Sequence, residues 1–161
     1  MNDFQRRALD ILQQTDYISA VARPGRKIVN IDYFAYNARI GTDAAPIAAG
    51  ATGQATVEIQ ADSDFVLTYM SGAVQNAIGG ALIFNPNCPV QITDQGSGKT
   101  FFNIPTIMAL AFGGGGFPFL LPSPRVINPN TSLLCQANNT TGGNLFGIYF
   151  AFHGARIFYE S

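Results

Sequence analysis

Charged residues, tryptophan, histidine and cysteine are all scarce in this chain of 161 residues. Asp, Glu, Lys and Arg together make up 12% of the sequence, about half of the roughly 25% that is typical of soluble domains. The formal net charge is -1, and the basic residues do not form the clustered stripe that phosphate backbones require. Nucleic acid is therefore not expected as the main partner.

The scarcity of histidine and cysteine leaves few residues for catalysis or metal binding. A serine or cysteine hydrolase site would have to use the single histidine, His153, which falls in an aromatic segment where a strand side chain is the ordinary role. Cys88 and Cys135 lie in separate apolar stretches, so we expect buried thiols, with neither a disulfide nor a zinc site. We expect no enzymatic activity and no cofactor.

The segment Gly96-Ser97-Gly98-Lys99-Thr100 ends like a phosphate-binding P-loop. That loop also needs a glycine at position 93, which is Thr, and a helix after it, whereas Pro105 follows soon and the intervening residues are typical of extended chain. We therefore interpret this segment as the turn of a β-hairpin.

Acidic residues leave a carbohydrate-binding or hydrolytic alternative open. Asp62 and Asp64 could contribute oxygen ligands to calcium, although such residues beside a serine more often cap a turn. A carboxylate pair for glycoside hydrolysis could also be drawn from Glu58, Asp62, Asp64 and Asp94, but nothing in the sequence fixes their separation.

Long uninterrupted apolar runs are also missing. The longest, from Ile104 to Leu121, is broken by prolines and four consecutive glycines, and charges interrupt the first ten residues. We expect neither a membrane partner nor a secretory signal, and we expect the protein to be made in a cytoplasm.

Apolar and aromatic residues, by contrast, are abundant. They make up 47% of the chain and include thirteen phenylalanines and six tyrosines. With so few charges to keep copies apart, exposed apolar surface should drive association. The composition therefore predicts a subunit that shares its surface with other chains.

The first 53 residues are predicted to be an N-terminal helix and an extended arm. Phe4, Ala8, Ile11 and Leu12 recur at helical spacing within residues 3–14, and Asn2 or Asp3 can cap the helix. Residues 27–40 are predicted to be extended, either as part of the arm or as one strand of a sheet.

Residues 54–161 are predicted to form a β domain. Alternating or β-rich segments at 56–60, 65–70, 90–93, 133–137 and 145–159 are separated by turn signals, and residues 138–143 have a hairpin-turn composition. The fold class predicted is mainly β, a jelly roll or β-sandwich of about eight strands, preceded by the helix and arm.

The segment 113–122 is the most unusual in composition. Four glycines precede Phe117, Phe119, Leu120 and Leu121, a cluster too apolar for a free loop. It could be a loop leading into an ordinary core strand. The alternative is that the cluster packs against a neighbouring subunit.

The order of these segments resembles a group of small structural proteins of tailed bacteriophages. The resemblance is carried by residues 85–99, from Asn85-Pro86-Asn87-Cys88-Pro89 to the glycine-rich turn, by Phe117 to Arg125, and by the closing aromatic strand 148–157. It covers about residues 54–159. It implies a jelly-roll subunit, commonly trimeric, that decorates or cements the capsid or sits in the connector region.

The leading hypothesis is a homotrimeric capsid decoration or cement protein of the virion, assembled in the bacterial cytoplasm, whose partners are itself and the major capsid protein. A collar, ring or tail-attachment component is the alternative, and a carbohydrate-binding module is a second. The residues predicted at interfaces are Phe4, Arg6, Arg7, Ile11, Leu12, Phe117, Phe119, Leu120 and Leu121.

Overall fold

The computed structural model describes residues 23–84, 86–114 and 117–160, and it is mainly β, with 56% of these residues in strands. The strands are β1 (Ile28–Ile40), β2 (Thr52–Glu58), β3 (Asp64–Gln75), β4 (Leu82–Ile83), β5 (Pro89–Asp94), β6 (Lys99–Thr100), β7 (Thr106–Ile107), β8 (Gly113–Gly114), β9 (Phe117–Pro118), β10 (Leu120–Ile127), β11 (Ser132–Asn138) and β12 (Gly147–Tyr159). One short helix, α1 (Met108–Phe112), follows β7. The helix predicted for residues 3–14 lies outside the described residues.

Two antiparallel sheets contain the longer strands. Sheet 1 has the order β1-β12-β3-β10, with β4 also paired to β3. Sheet 2 has the order β2-β11-β5-β6, with β7 also paired to β5. The tiny hairpin β8-β9 forms a third, separate pair.

Pairing between the strands is nested along the chain. The first strand, β1, pairs with the last, β12, and β2 pairs with β11. Further inward, β3 pairs with β10 and β5 pairs with its neighbour β6. Successive nested pairs alternate between sheet 1 and sheet 2. Strands from the first half of the chain therefore pair with strands from the second half, and these pairs are divided between two sheets.

The hydrophobic core lies between the two sheets. Alternation along β12 turns Ile148, Phe150 and Phe152 inward, and on β11 the same period turns Leu133 and Cys135 toward them. All five side chains are at most 2% exposed. Because one continuous cluster draws on both sheets, the architecture is a β-sandwich.

A β-bulge in β3 changes which of its residues face inward. Pairing with β12 passes from His153 opposite Tyr69 to Gly154 opposite Leu67, so Thr68 is an extra residue in the ladder. As a result Leu67 and Met70, three positions apart, both belong to the core between the sheets.

Several sequence-based predictions are confirmed and others are wrong. Strands form in all five predicted segments of the β domain, and residues 96–98 lie in the turn of the β5-β6 hairpin, as predicted for the glycine-rich segment. Segment 138–143 is not a hairpin turn, because β11 and β12 belong to different sheets. Residues 122–124, whose Pro-Ser-Pro sequence is typical of a loop, lie within β10 at the point where its register with β3 is broken.

The boundary placed after residue 53 also needs correction. β1 pairs with β12 along nearly its whole length, and β2 begins at Thr52. The sandwich therefore extends back to Ile28, and the strand alternative for residues 27–40 is the correct one. Residues 28–40 form a strand because apolar side chains alternate along them. Tyr36 and Ile40 are buried in the core between the sheets, and Phe34 packs against it.

Candidate assembly surface

Large apolar side chains are exposed along one edge of sheet 1. β4 and β10 both pair with β3 on the side opposite β12, so they occupy the same edge. Five side chains on or beside these two strands are between 41% and 56% exposed: Leu82, Ile83, Phe84, Phe119 and Leu120. We call this set the apolar edge.

The geometry of β3 sets the extent of the apolar edge. Leu120 pairs with Tyr69, and Ile83 pairs with Val74, five residues further along β3. At about 3.3 Å per residue, the two ends of the apolar edge are roughly 16 Å apart. That span is comparable with the contact made by one strand or helix of a partner.

Two of the interface residues predicted in segment 113–122 belong to the apolar edge, and one does not. Phe119 is 56% exposed and Leu120 is 42% exposed, whereas Leu121 is half-buried and packs against the core. The backbone of Phe117 pairs with Gly114 in the β8-β9 hairpin. Phe4, Arg6, Arg7, Ile11 and Leu12 lie outside the described residues.

Leu82, Ile83 and Phe84 were missed by the sequence analysis. Their segment is short and follows Gly79-Gly80, so it gave no strand signal of its own. The signal that could have found them is three consecutive large apolar residues directly before the loop that begins with Asn85-Pro86.

His153 lies on the face of sheet 1 that points away from the core. Its ring stacks on Tyr69 at 4.3 Å between centroids. Its Nδ1 is 2.6 Å from the Tyr33 hydroxyl and its Nε2 is 3.0 Å from the Ser71 hydroxyl. Burial lowers the pKa of His153 to about 4. The ring is thus neutral and hydrogen-bonded at both nitrogens.

These contacts favour a packing role for His153 over a catalytic one. A serine beside an imidazole is a hydrolase-like pair, but the third position here holds a tyrosine hydroxyl, which stabilises an imidazolium far less than a carboxylate does. A histidine with a pKa near 4 is also a weak base at neutral pH. His153 fits the role of a strand side chain.

Of the four carboxylates considered for calcium or glycan chemistry, Glu58 is exposed on β2, and the other three each bond to other groups of the chain. Asp62 accepts two hydrogen bonds from Arg156, and Asp64 accepts two from Arg23. Asp94 accepts from the Gly96 amide and from the hydroxyls of Ser97 and Thr131 at the base of the β5-β6 turn. Each of these three carboxylates therefore has a structural use in its own turn or ion pair.

An open cleft of about 660 Å³ lies beside the β5-β6 turn. Lys99 and Arg125 line it, and the Arg125 guanidinium lies 4.5 Å from the centroid of the Phe101 ring. Since residues 101–105 after the turn are irregular and no helix begins there, the backbone amides do not converge as in a phosphate-binding loop.

Both cysteines are free and buried, as the sequence analysis predicted. Burial raises the pKa of Cys88 to about 11 and that of Cys135 to about 12. Protonated, inaccessible thiols of this kind are unreactive. Within the described ranges, no three His, Cys, Asp or Glu side chains are grouped closely enough to bind a metal ion.

In the part of the chain that the structure describes, no helix has the length and apolar character needed to span a bilayer. Comparison with known proteins found no matching family model, no matching curated protein and no matching solved structure.

Proposed function

We propose that this chain is a non-enzymatic structural subunit with a jelly-roll fold. The fold assignment is supported by the eight strands on the main paths of the two sheets, which are β1, β2, β3, β5, β6, β10, β11 and β12. Numbered one to eight in chain order, the first, eighth, third and sixth form one sheet, and the second, seventh, fourth and fifth form the other. That order is the one produced by rolling up a long hairpin into two Greek keys.

The observation that carries the assembly role is the apolar edge. A sheet edge with exposed apolar side chains favours pairing with another chain, and proteins that remain monomeric usually protect such edges with charges. Here the apolar edge carries Leu82, Ile83, Phe84, Phe119 and Leu120, and its strands β4 and β10 contribute one charged residue, Arg125. We propose that a second copy of this chain covers it, within a homotrimer.

The proposed biological setting is the virion of a tailed bacteriophage, where the trimer decorates or cements the capsid. This step depends on the resemblance of residues 54–159 to small phage structural proteins, and on jelly rolls being common among capsid proteins. The major capsid protein is the proposed partner. Copy number in purified particles tests the location, because hundreds of copies indicate the capsid surface and about a dozen indicate a ring or collar.

The experiment that tests assembly is size-exclusion chromatography with light scattering on the purified protein and on edge variants. We expect the wild-type chain to elute as a trimer at micromolar concentration. Ile83→Ser and Phe119→Ser should shift it toward monomer while the circular dichroism spectrum stays unchanged, because both side chains are exposed within the subunit.

Val29→Ser is the matched control. Val29 is 55% exposed on β1, at the opposite edge of sheet 1, so its replacement should leave the trimer intact. A wild-type chain that is monomeric at these concentrations contradicts the proposal, as does equal dissociation by all three variants.

A further inference from the structure

The outward face of sheet 2 is lined by uncharged side chains over three neighbouring strands. Alternation along β2, β11 and β5 turns every second residue away from the core. Pairing aligns Gln54 of β2 with Gln136 of β11, and Gln136 with Gln91 of β5, so three glutamines form one row. The outward residues in the rows on either side are Thr52, Thr56, Pro89, Thr93, Leu134 and Asn138. We call these side chains and the three glutamines the polar grid.

The polar grid has the size and chemistry of a ligand-binding surface. Strands lie about 4.8 Å apart and successive residues about 3.3 Å apart, so the polar grid measures roughly 10 by 13 Å. None of its side chains carries a charge, and all except Pro89 and Leu134 can form hydrogen bonds. A ligand matched to this surface is therefore neutral and rich in hydrogen-bonding groups.

A cleft of about 280 Å³ lies on one side of the polar grid. Gln91, Gln136 and Asn138 line it, together with Pro105 from the irregular segment after β6. The Nε2 group of Gln91 donates to the Phe102 carbonyl at 2.9 Å, which holds that segment beside the glutamine row. The volume is close to the roughly 300 Å³ at which small-molecule sites begin.

Two amide oxygens of the residues that line the cleft have no hydrogen-bond donor. They are Oε1 of Gln91 and Oδ1 of Asn138, both of which are buried, and the described part of the chain supplies no partner for either. The Gln91 amide is already oriented, because its Nε2 group is bonded to Phe102. A buried acceptor without a donor costs free energy, so a molecule that brings donors to the cleft is favoured.

We propose that the polar grid and its cleft bind a neutral glycan. Sugar hydroxyls both donate and accept hydrogen bonds, and the primary amides of the glutamine row offer both functions in return. Pro89 and Pro105 line the same cleft and supply apolar surface for the C–H groups of a sugar ring. A charged ligand is disfavoured, because none of the described residues that line the cleft carries the opposite charge.

The proposed site is one of recognition and not of hydrolysis. No carboxylate is among the described residues that line the cleft, and glycoside hydrolysis ordinarily requires two. The site also differs from the carbohydrate alternative drawn from the sequence, which relied on acidic residues. It is independent of the proposed assembly role, because the apolar edge belongs to sheet 1 and the polar grid to sheet 2.

NMR titration of the nitrogen-15-labelled full chain tests the proposal. The probes are neutral hexasaccharides of glucose, galactose, mannose and N-acetylglucosamine. We expect at least one to bind with a dissociation constant on the order of 1 mM, as suits an open site with few anchoring contacts. The side-chain amide signals of Gln54, Gln91 and Gln136 should shift, whereas that of Asn37, exposed on β1 in sheet 1, should not.

A matched pair of substitutions locates the site. Gln136→Glu keeps the shape of the central side chain but replaces its donor with a charge, so it should weaken binding by at least tenfold, or about 1.4 kcal/mol. Asn37→Asp makes the same chemical change on sheet 1 and should leave the affinity within about twofold. Equal losses in the two variants overturn the proposal.

Three further outcomes also decide the matter. A hexamer of galacturonic acid should bind at least about tenfold more weakly than the best neutral probe, and equal binding overturns the assignment to a neutral glycan. Shifts of the polar grid that follow protein concentration without sugar assign this face to a contact between subunits and overturn the proposal. The absence of shifts with every neutral probe leaves ordered water as the donor in the cleft, and it overturns the proposal too.

Discussion

At the residue scale, Gly154 shows how a backbone contact restricts the sequence. It lies opposite the bulge at Thr68, and a Cβ there would overlap the carbonyl oxygen of Val66. The obstructing atoms belong to the backbone of two central residues of β3, so they cannot rotate away as a side chain would.

Gly154→Ala should therefore lower the free energy of unfolding by about 3 kcal/mol, the upper end of the usual cost of overpacking. Urea denaturation measures it. Gly142→Ala is the control, because no heavy atom lies within 4 Å of the added Cβ, and its effect should stay within about 0.5 kcal/mol. If Gly154→Ala is as mild as the control, the bulge does not hold the two strands as closely as described.

His153 makes stability depend on pH. Its pKa is about 4 in the folded chain and close to 6.5 when unfolded. Between these values the unfolded chain binds a proton that the folded chain does not, so stability is complete above pH 6.5 and decreases as pH falls toward 4. The groups that contact the ring are Tyr33, Tyr69 and Ser71.

The unfolding free energy should decrease by about 2 to 3 kcal/mol between pH 7 and pH 4.5. His153→Gln should remove most of that slope. Asp62 does not contribute in this window, because its bonds to Arg156 keep its pKa below 3.8. A slope that persists in His153→Gln would assign the pH dependence to another group.

At the scale of elements, the segment before β1 is held to β3 by the Arg23–Asp64 ion pair and to β12 by a hydrogen bond from the Arg23 amide to the Tyr159 hydroxyl. Asp64 has a side chain only 2% exposed, while the Arg23 side chain is 42% exposed. Removing the arginine leaves the buried carboxylate with the Tyr159 hydroxyl as its remaining side-chain donor among the described contacts.

Arg23→Ala should cost about 2 kcal/mol of unfolding free energy, less than a fully buried pair because the guanidinium is partly hydrated. The Lys27–Glu160 pair also involves the segment before β1, which it joins to the residue after β12, but both of its side chains are exposed. Lys27→Ala should therefore change stability by less than about 0.5 kcal/mol. Similar costs for the two substitutions would contradict the importance of burial at Asp64.

At the scale of the whole molecule, the proposed assembly is apolar in origin. The chain has nineteen charged residues in 161, and the apolar edge carries none among its five side chains. The association constant of the subunits should therefore change by less than about threefold between roughly 0.05 and 0.5 M sodium chloride, because salt screens charges and not apolar contacts. Sedimentation velocity measures this. Dissociation at high salt would indicate a contact dominated by ion pairs.

The sequence by itself determined the class of the fold and much of its content. Alternation of apolar residues specified β5, β11 and β12, and the abundance of apolar residues with few charges predicted exposed apolar side chains. Strand alternation and turn composition are local properties, because each depends on a few adjacent residues. The same locality made the cysteines recognisable as buried thiols.

The tertiary structure alone decided which strands pair. Nothing near residues 138–143 reveals that β11 and β12 diverge into different sheets, because pairing depends on partners that are far apart in sequence, such as β1 and β12. It also decided that Leu121 packs inward while Phe119 and Leu120 join Ile83 and Phe84 on one edge. Contacts between segments that are far apart in sequence decide whether an apolar residue lies in the core or on the surface. The residues next to it in the sequence do not reveal which distant segments it will contact.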